Sequence, residues 1–232
     1  MNYKKIFAVI VLTGAALSIG CSSIKYNKDY AGDRFPREFD TAFIGVNLDL
    51  VDGGSSEPIT KEEETAVRDM ILKKLTENKY GFNAAVSTNG IFKDTVNEDN
   101  QKAVISLIYD CNLEKSCTPG KGIIESPAIQ KAIKQNKRYN LFINYSGSSQ
   151  SARNKTGKIA LFLFTPVAAD YNDHSFLSAV IYDKVANKYV FNSTSSIFGL
   201  TDDPRKESVI ESHVKDLFDE MKTAKEAKEE KK

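Results

Sequence analysis

Residues 41–75 read TAFIGVNLDLVDGGSSEPITKEEETAVRDMILKKL, and the period of their apolar side chains changes partway along. From Thr41 to Val51 the apolar positions Phe43, Ile44, Val46, Leu48 and Leu50 nearly alternate, and the run ends at Asp52-Gly53-Gly54. Alternation with period 2 places every second side chain on one side of an extended backbone, so this stretch predicts a strand closed by a turn. Thr60 and Glu63 then have the spacing of a capping box. The threonine oxygen accepts from an orphan amide of the first turn, and the glutamate reaches back to the threonine's own amide. Val67, Met70, Ile71 and Leu75 follow at helical spacing, and the helix is expected to stop before Gly81. An apolar helical stripe has to lie on something, and the strand before it begins the sheet on which it can lie.

Downstream the same signals recur. Phe82–Phe92 and Ala103–Tyr109 read as strands separated by the polar loop Lys93–Lys102. Ser126-Pro127 is a helix start, because proline in the first turn loses no hydrogen bond, and Ile129, Ala132 and Ile133 supply a short apolar face. Arg138–Gly147 is a strand. The serine-rich segment Ser146–Ser151 leads on to Ile159–Phe164, an apolar run that fits a buried strand and is far too short to span a bilayer. Ser175–Asp183 and Lys188–Ser193 form a hairpin across Lys184–Asn187, with Asn187 suited to a positive φ. A last helix has Asp203 as its cap and Pro204 in its first turn, and carries Ile210, Val214, Leu217, Phe218 and Met221 on one side. These elements predict an α/β or α+β fold: one domain over residues 40–221, with a mixed sheet and helices packed on it. Residues 222–232 contain only Lys, Glu, Ala and Thr, and are expected to be a solvated or fraying helical tail.

The other end of the chain carries an address. Lys4-Lys5 precede an apolar run from Ile6 to Ile19, followed by Gly20-Cys21. A basic start, a short hydrophobic stretch and a small residue before the cut form an export signal over residues 1–20. The apolar run falls short of the roughly 20 residues that a spanning helix needs. Leu17-Ser18-Ile19-Gly20-Cys21 resembles the lipobox of bacterial lipoproteins, with Ser18 standing where that family usually has leucine. The resemblance implies that Cys21 is lipidated and becomes the first residue of the mature chain. Ser22 is not the aspartate that retains many such proteins in the inner membrane, so the resemblance implies the outer membrane, facing the periplasm or the cell surface. Residues 21–39 are polar, broken by Gly32 and Pro36, and read as a flexible tether.

Loss of residues 1–20 removes Lys4 and Lys5 and leaves 30 basic against 31 acidic side chains. So even a balance argues against a nucleic-acid binder, which would show a concentrated basic face. It also leaves acyl chains, not charge, as the source of membrane attachment through Cys21, at roughly 0.8 kcal/mol per buried CH2. Cys111 and Cys117 remain. In an oxidising compartment two cysteines so close together favour a disulfide, worth roughly 2 kcal/mol in the chain-entropy model, over two free thiols. A metal site is the third alternative, but no further ligand stands nearby, and the histidines are only His174 and His213.

The order of strand, helix, strand, short helix, LFINYSG (141–147), hairpin VIYDKVANKYVF (180–191) and terminal helix is similar to the amino-terminal domain of TolB. That domain type is shared with CsgG-type and LpoB-type envelope lipoproteins. The resemblance covers roughly residues 40–221 and implies protein–protein work at the envelope, with a protein partner there.

Chemistry-bearing motifs are incomplete. Gly120-Lys121-Gly122 lacks the Lys-Ser/Thr of a phosphate loop and has Lys115 where its first glycine belongs, while Glu125 replaces the last glycine of a dinucleotide fingerprint. Asp173-His174-Ser175 has the residue types of a hydrolase triad, but a triad is made by geometry and no G-x-S-x-G elbow is present. His213 lies at the edge of an apolar stripe, which favours a partly buried structural role. Asp49 with Asp52 and Asp202 with Asp203 are acidic pairs, the first read as strand solvation and the second as helix capping. No catalytic set, cofactor or metal centre is therefore expected. The sequence favours a non-catalytic binding or assembly module. A surface-displayed protein that binds an external ligand, and a hydrolase with a scattered site around Asp173 and His174, are the alternatives.

Overall fold

A computed structural model describes residues 19–52, 55–77, 82–86, 130, 133–134, 136–151, 173–199 and 202–226. Among these residues seven strands form one mixed sheet. They are β1 (Ile19–Tyr26), β2 (Glu38–Asp52), β3 (Ser55–Pro58), β4 (Asn83–Val86), β5 (Tyr139–Gln150), β6 (Asp173–Asp183) and β7 (Lys188–Gly199). The order across the sheet is β1-β7-β6-β5-β2-β3, with β4 also on β2. The pairings β2–β5 and β2–β4 are parallel and the rest antiparallel. Two helices, α1 (Lys61–Thr76) and α2 (Glu207–Glu226), cover one face. The mixed sheet with packed helices is the α+β arrangement that the alternating strand and helix periods predict.

β2 is longer than the period alone indicated and contains an irregularity. Its register against β5 slips between Thr41 and Phe43. The extra residue, Ala42, inverts the phase of the pleat. Phe39 before it and Ile44, Val46 and Leu48 after it therefore all reach the same core, although strict alternation would separate them. That core is completed by Ile143 and Tyr145 of β5, Leu177, Ala179 and Ile181 of β6, Val67, Ile71 and Leu75 of α1, and Ile210, Val214, Leu217, Phe218 and Met221 of α2.

The capping box forms as read. Thr60 Oγ1 accepts from the Glu63 amide at 3.2 Å, and the Thr60 amide donates to Glu63 Oε2 at 3.0 Å. α1 then closes a gap in the sheet. β5 occupies one edge of β2, while β3 and β4 take only the two ends of the other. Between them the Ile44 carbonyl accepts from Arg68 Nε of α1 at 3.2 Å, and the Leu48 carbonyl accepts from the Ile59 amide at 3.0 Å. Buried backbone acceptors need such partners.

Three expectations change. Residues 21–39 are not a tether. β1 pairs with β7 along its whole length, and two 3-10 turns follow at Lys28–Tyr30 and Gly32–Arg34. Phe35 is 2% exposed, with its ring edge-on to Phe82 and to Phe191 at centroid distances of 6.1 and 5.8 Å. The polar composition hid three anchoring rings, Tyr30, Phe35 and Phe39, that bury here. α2 also starts later than expected. Asp203 caps a tight turn in which its side chain accepts from the Arg205 amide and its carbonyl from the Lys206 amide, and the helix opens at Glu207. Finally, the helix runs past Met221 to Glu226, with Ala224 fully buried and Lys225 Nζ 5.4 Å from the centre of the Phe82 ring. The expected tail boundary at 222 thus falls inside packed structure.

The hairpin is as read. Asn187 has φ 53°, and its side chain accepts from the Tyr182 hydroxyl at 2.5 Å. The expected strands at 103–109 and 159–164, the polar loop at 93–102 and most of the helix after Pro127 lie outside the described residues.

Candidate functional site

Neighbouring residues of a strand point to opposite faces, and this divides the Asp173-His174-Ser175 group. Asp173 and Ser175, both fully buried, lie on the helix-covered side, and Asp173 Oδ1 accepts from the Gln150 amide at 2.7 Å. His174 lies on the outer side, its Nδ1 3.2 Å from Ser148 Oγ and its ring stacked on Phe198 at 6.3 Å. Asp173 and His174, the pair around which the alternative hydrolase reading would build a site, are therefore not brought together, because the pleat sends the two side chains apart.

Ser175 instead meets His213. The Ser175 Oγ to His213 Nε2 distance is 2.8 Å, and Nδ1 lies 2.9 Å from Ser195 Oγ, which donates to Asp216 Oδ2 at 2.9 Å. The proton directions follow from the chain of partners. A carboxylate only accepts, so the single Ser195 proton goes to Asp216, and Ser195 Oγ must accept from Nδ1–H. Nε2 then accepts from the Ser175 hydroxyl, and the imidazole is neutral. Burial enforces this, taking the His213 pKa down from 6.5 to about 4. A serine on Nε2 with Nδ1–H held by an acceptor is the local arrangement of an activated nucleophile. Here, however, Ser175, Ser195 and His213 are each 1% exposed or less, sealed between β6, β7 and α2. The relay fastens the helix to the sheet. Tyr145 completes it, with its ring edge-on to His213 at 5.5 Å and its hydroxyl donating to the Pro204 carbonyl at 2.8 Å. His213 is more deeply buried than its place on the stripe indicated.

The outer face changes character along its length. Towards the Asp183 end Phe43, Phe142 and Val180 are buried. Towards the Gly199 end the face opens. His174, Phe176, Ser178 and Thr194 are half-buried there, and Phe198 is 39% exposed. Phe176 and Phe198 meet edge-on at 5.4 Å, His174 and Phe176 at 5.7 Å, so three rings form one cluster. Hydroxyls border it, Ser178 and Thr194 being 3.1 Å apart.

Cys21 lies on edge strand β1 beside this cluster. Its Cα stands opposite Ser196, which in turn stands opposite Phe176, and one pleat repeat away Ile19 stands opposite Phe198. Periodicity alone had no means of bringing these positions together, since they come from the two ends of the chain.

Of the other residues singled out, Cys111, Cys117 and Gly120-Lys121-Gly122 lie outside the described residues, as does the serine-rich insert beyond Ser151. Asp52 accepts from Ser151 Oγ at 2.6 Å. Asp203 pairs with Arg205, whose Nη1 also donates to Glu63 at 2.8 Å. Burial would raise the Asp203 carboxyl, but this arginine and its backbone amide outweigh it and hold the pKa at about 2. Among the described residues no three His, Cys, Asp or Glu side chains are grouped so as to hold a metal ion, and no helix is long and apolar enough to cross a membrane.

No protein-family profile matches the chain, and no curated protein matches it. Among solved structures, the chain is similar to the PelC dodecamer from Paraburkholderia phytofirmans, at 15% identity and a TM-score of 0.37, over 88% of this chain and 97% of that one. A single-substitution variant of the same dodecamer is similar at 12% identity and a TM-score of 0.33, with the same coverage.

Proposed function

We propose that this chain is an exported, lipid-anchored outer-membrane protein whose domain is a non-catalytic binding and assembly module of a bacterial envelope. The observation that carries the reading is where the signal meets the fold. Cys21, the residue that the lipobox pattern marks, begins the part of edge strand β1 that would survive cleavage. The chain after it goes straight into paired and packed structure, so an acyl group on Cys21 would hold the body directly at a bilayer. Attachment of this kind needs no basic face, in keeping with the even charge of the mature chain. The sealed Ser175–His213 pair supports a structural use of the residues that most resemble a reacting group. The partner is taken to be another envelope protein, met by surfaces that the sheet and α1 hold rigid.

Radiolabelled palmitate tests the anchor. Cys21→Ala is expected to abolish incorporation and move the protein from the membrane to the soluble fraction, and continued labelling of the variant would sink the reading. Alkylation followed by mass spectrometry tests the compartment, with Cys111 and Cys117 expected to be blocked until reduced. Protease treatment of intact and permeabilised cells then separates a periplasmic module from a surface-displayed one.

A further inference from the structure

We propose that the ring cluster His174, Phe176 and Phe198 is the surface on which this domain rests against the lipid bilayer. The proposal builds on lipidation at Cys21 and names the part of the fold that the anchor presses against the membrane. Two observations carry it. The outer face is buried at its Asp183 end and opens only at the Gly199 end, where Phe198 is 39% exposed. The open end is also where Cys21 sits, in the cross-strand row Cys21–Ser196–Phe176. Neighbouring strands are about 4.8 Å apart, so two steps along that row bring the acylated backbone within roughly 10 Å of the Phe176 backbone.

The chemistry suits a bilayer boundary. Phenylalanine rings have no polar group to leave unpaired in the acyl region, and burying one contributes about 2 kcal/mol. Ser178, Thr194 and Ser148 border the rings at a depth where headgroup oxygens and water supply partners.

The test uses the full lipidated chain and its lack of tryptophan. Phe198→Trp places a reporter in the cluster, and Val185→Trp places one on the exposed hairpin turn at the opposite end of the sheet, roughly 30 Å away along the strands. Each protein is reconstituted in phosphatidylcholine vesicles with and without brominated acyl chains. The Phe198→Trp emission is expected to shift to the blue and lose about half its intensity to bromolipid, as for a ring at the acyl boundary, while Val185→Trp stays unquenched. Equal quenching at both sites, or none at Phe198→Trp, overturns the proposal, and rings that serve a protein or a saccharide give the second result. Palmitate labelling of the same preparations keeps the two readings apart. Label without quenching removes the resting surface and leaves the anchor. If label is absent the anchor fails, and the surface is read from unlipidated protein titrated with vesicles. There Phe198→Ser is expected to weaken partitioning about tenfold, and an unchanged partition coefficient overturns the surface.

Discussion

The Ser175 hydroxyl and His213 Nε2, 2.8 Å apart, join β6 to α2 across the core, and no part of either side chain reaches solvent. A histidine so placed makes the fold sensitive to acid. Its pKa is lowered from 6.5 to about 4 by burial, so between those values the unfolded chain takes up a proton that the folded chain refuses. Stability is at its full value above about pH 6.5 and falls as the pH drops towards 4, by roughly 3 kcal/mol in all. Urea titrations of the wild type and of His213→Gln between pH 7 and 4.5 measure this. The wild type should lose stability more steeply, and parallel curves would remove His213 as the source.

Asp183 is the second sensitive point. Its buried carboxylate accepts from the Tyr30 hydroxyl at 3.0 Å, from Arg138 at 2.9 and 2.6 Å, and from the amides of Val185 and Ala186. Burial alone would raise its pKa, but Arg138 and the other donors outweigh that and hold it below 3.8. The stabilisation is therefore complete above its unfolded value and lost as the pH falls through the depressed one. Asp183→Asn should cost about 3 kcal/mol at neutral pH, since it leaves donors facing an amide. Chemical denaturation reads the loss, which should shrink in strong acid.

At Gly147 the backbone of β6 leaves no room for a side chain on β5. A methyl group there would run into the His174 carbonyl oxygen and stand 2.9 Å from Ser175 Cα. Both obstacles are backbone, so neither can turn aside. Gly147→Ala is expected to destabilise by about 3 kcal/mol or to prevent folding, and a melting temperature within a degree or so of wild type contradicts this.

At the hairpin, the positive φ of Asn187 can be separated from its side-chain hydrogen bond. Asn187→Ala loses both the bond to Tyr182 and the tolerance for that backbone, at about 1–2 kcal/mol. Asn187→Gly keeps the backbone and should cost about half as much. Equal losses in thermal denaturation would assign the whole effect to the hydrogen bond.

A truncation tests whether the last turn of α2 is packed. Removal of everything after Met221 takes away buried Ala224 and the Lys225–Phe82 contact, and should lower the melting temperature by several degrees, about 1 kcal/mol.

What could be read directly were features decided within a few residues of themselves. The Thr60–Glu63 box, the apolar stripes of both helices and the Lys184–Asn187 turn depend on spacing and backbone preference, which act locally. The alternation in 41–51 identified β2 and the sheet class, and Cys21 stood out by its position after an apolar run.

Other features depend on partners remote in the chain. Residues 21–39 look like a tether because their composition is polar, but Tyr30 reaches Asp183, 153 positions away, and Phe35 fills a niche between Phe82 and Phe191. The Ala42 bulge shows only in the register against β5. Asp173-His174-Ser175 suggested one centre, and the pleat of β6 divided it, giving Ser175 to His213 and His174 to the outer ring cluster. Helical and extended periods are properties of short segments, so β2, the hairpin strands and both helices could be read from spacing, while β1, which has no such period, could not. Only the tertiary structure decided which side chains share a face, because that depends on strand register, and a shift of one residue exchanges the two faces.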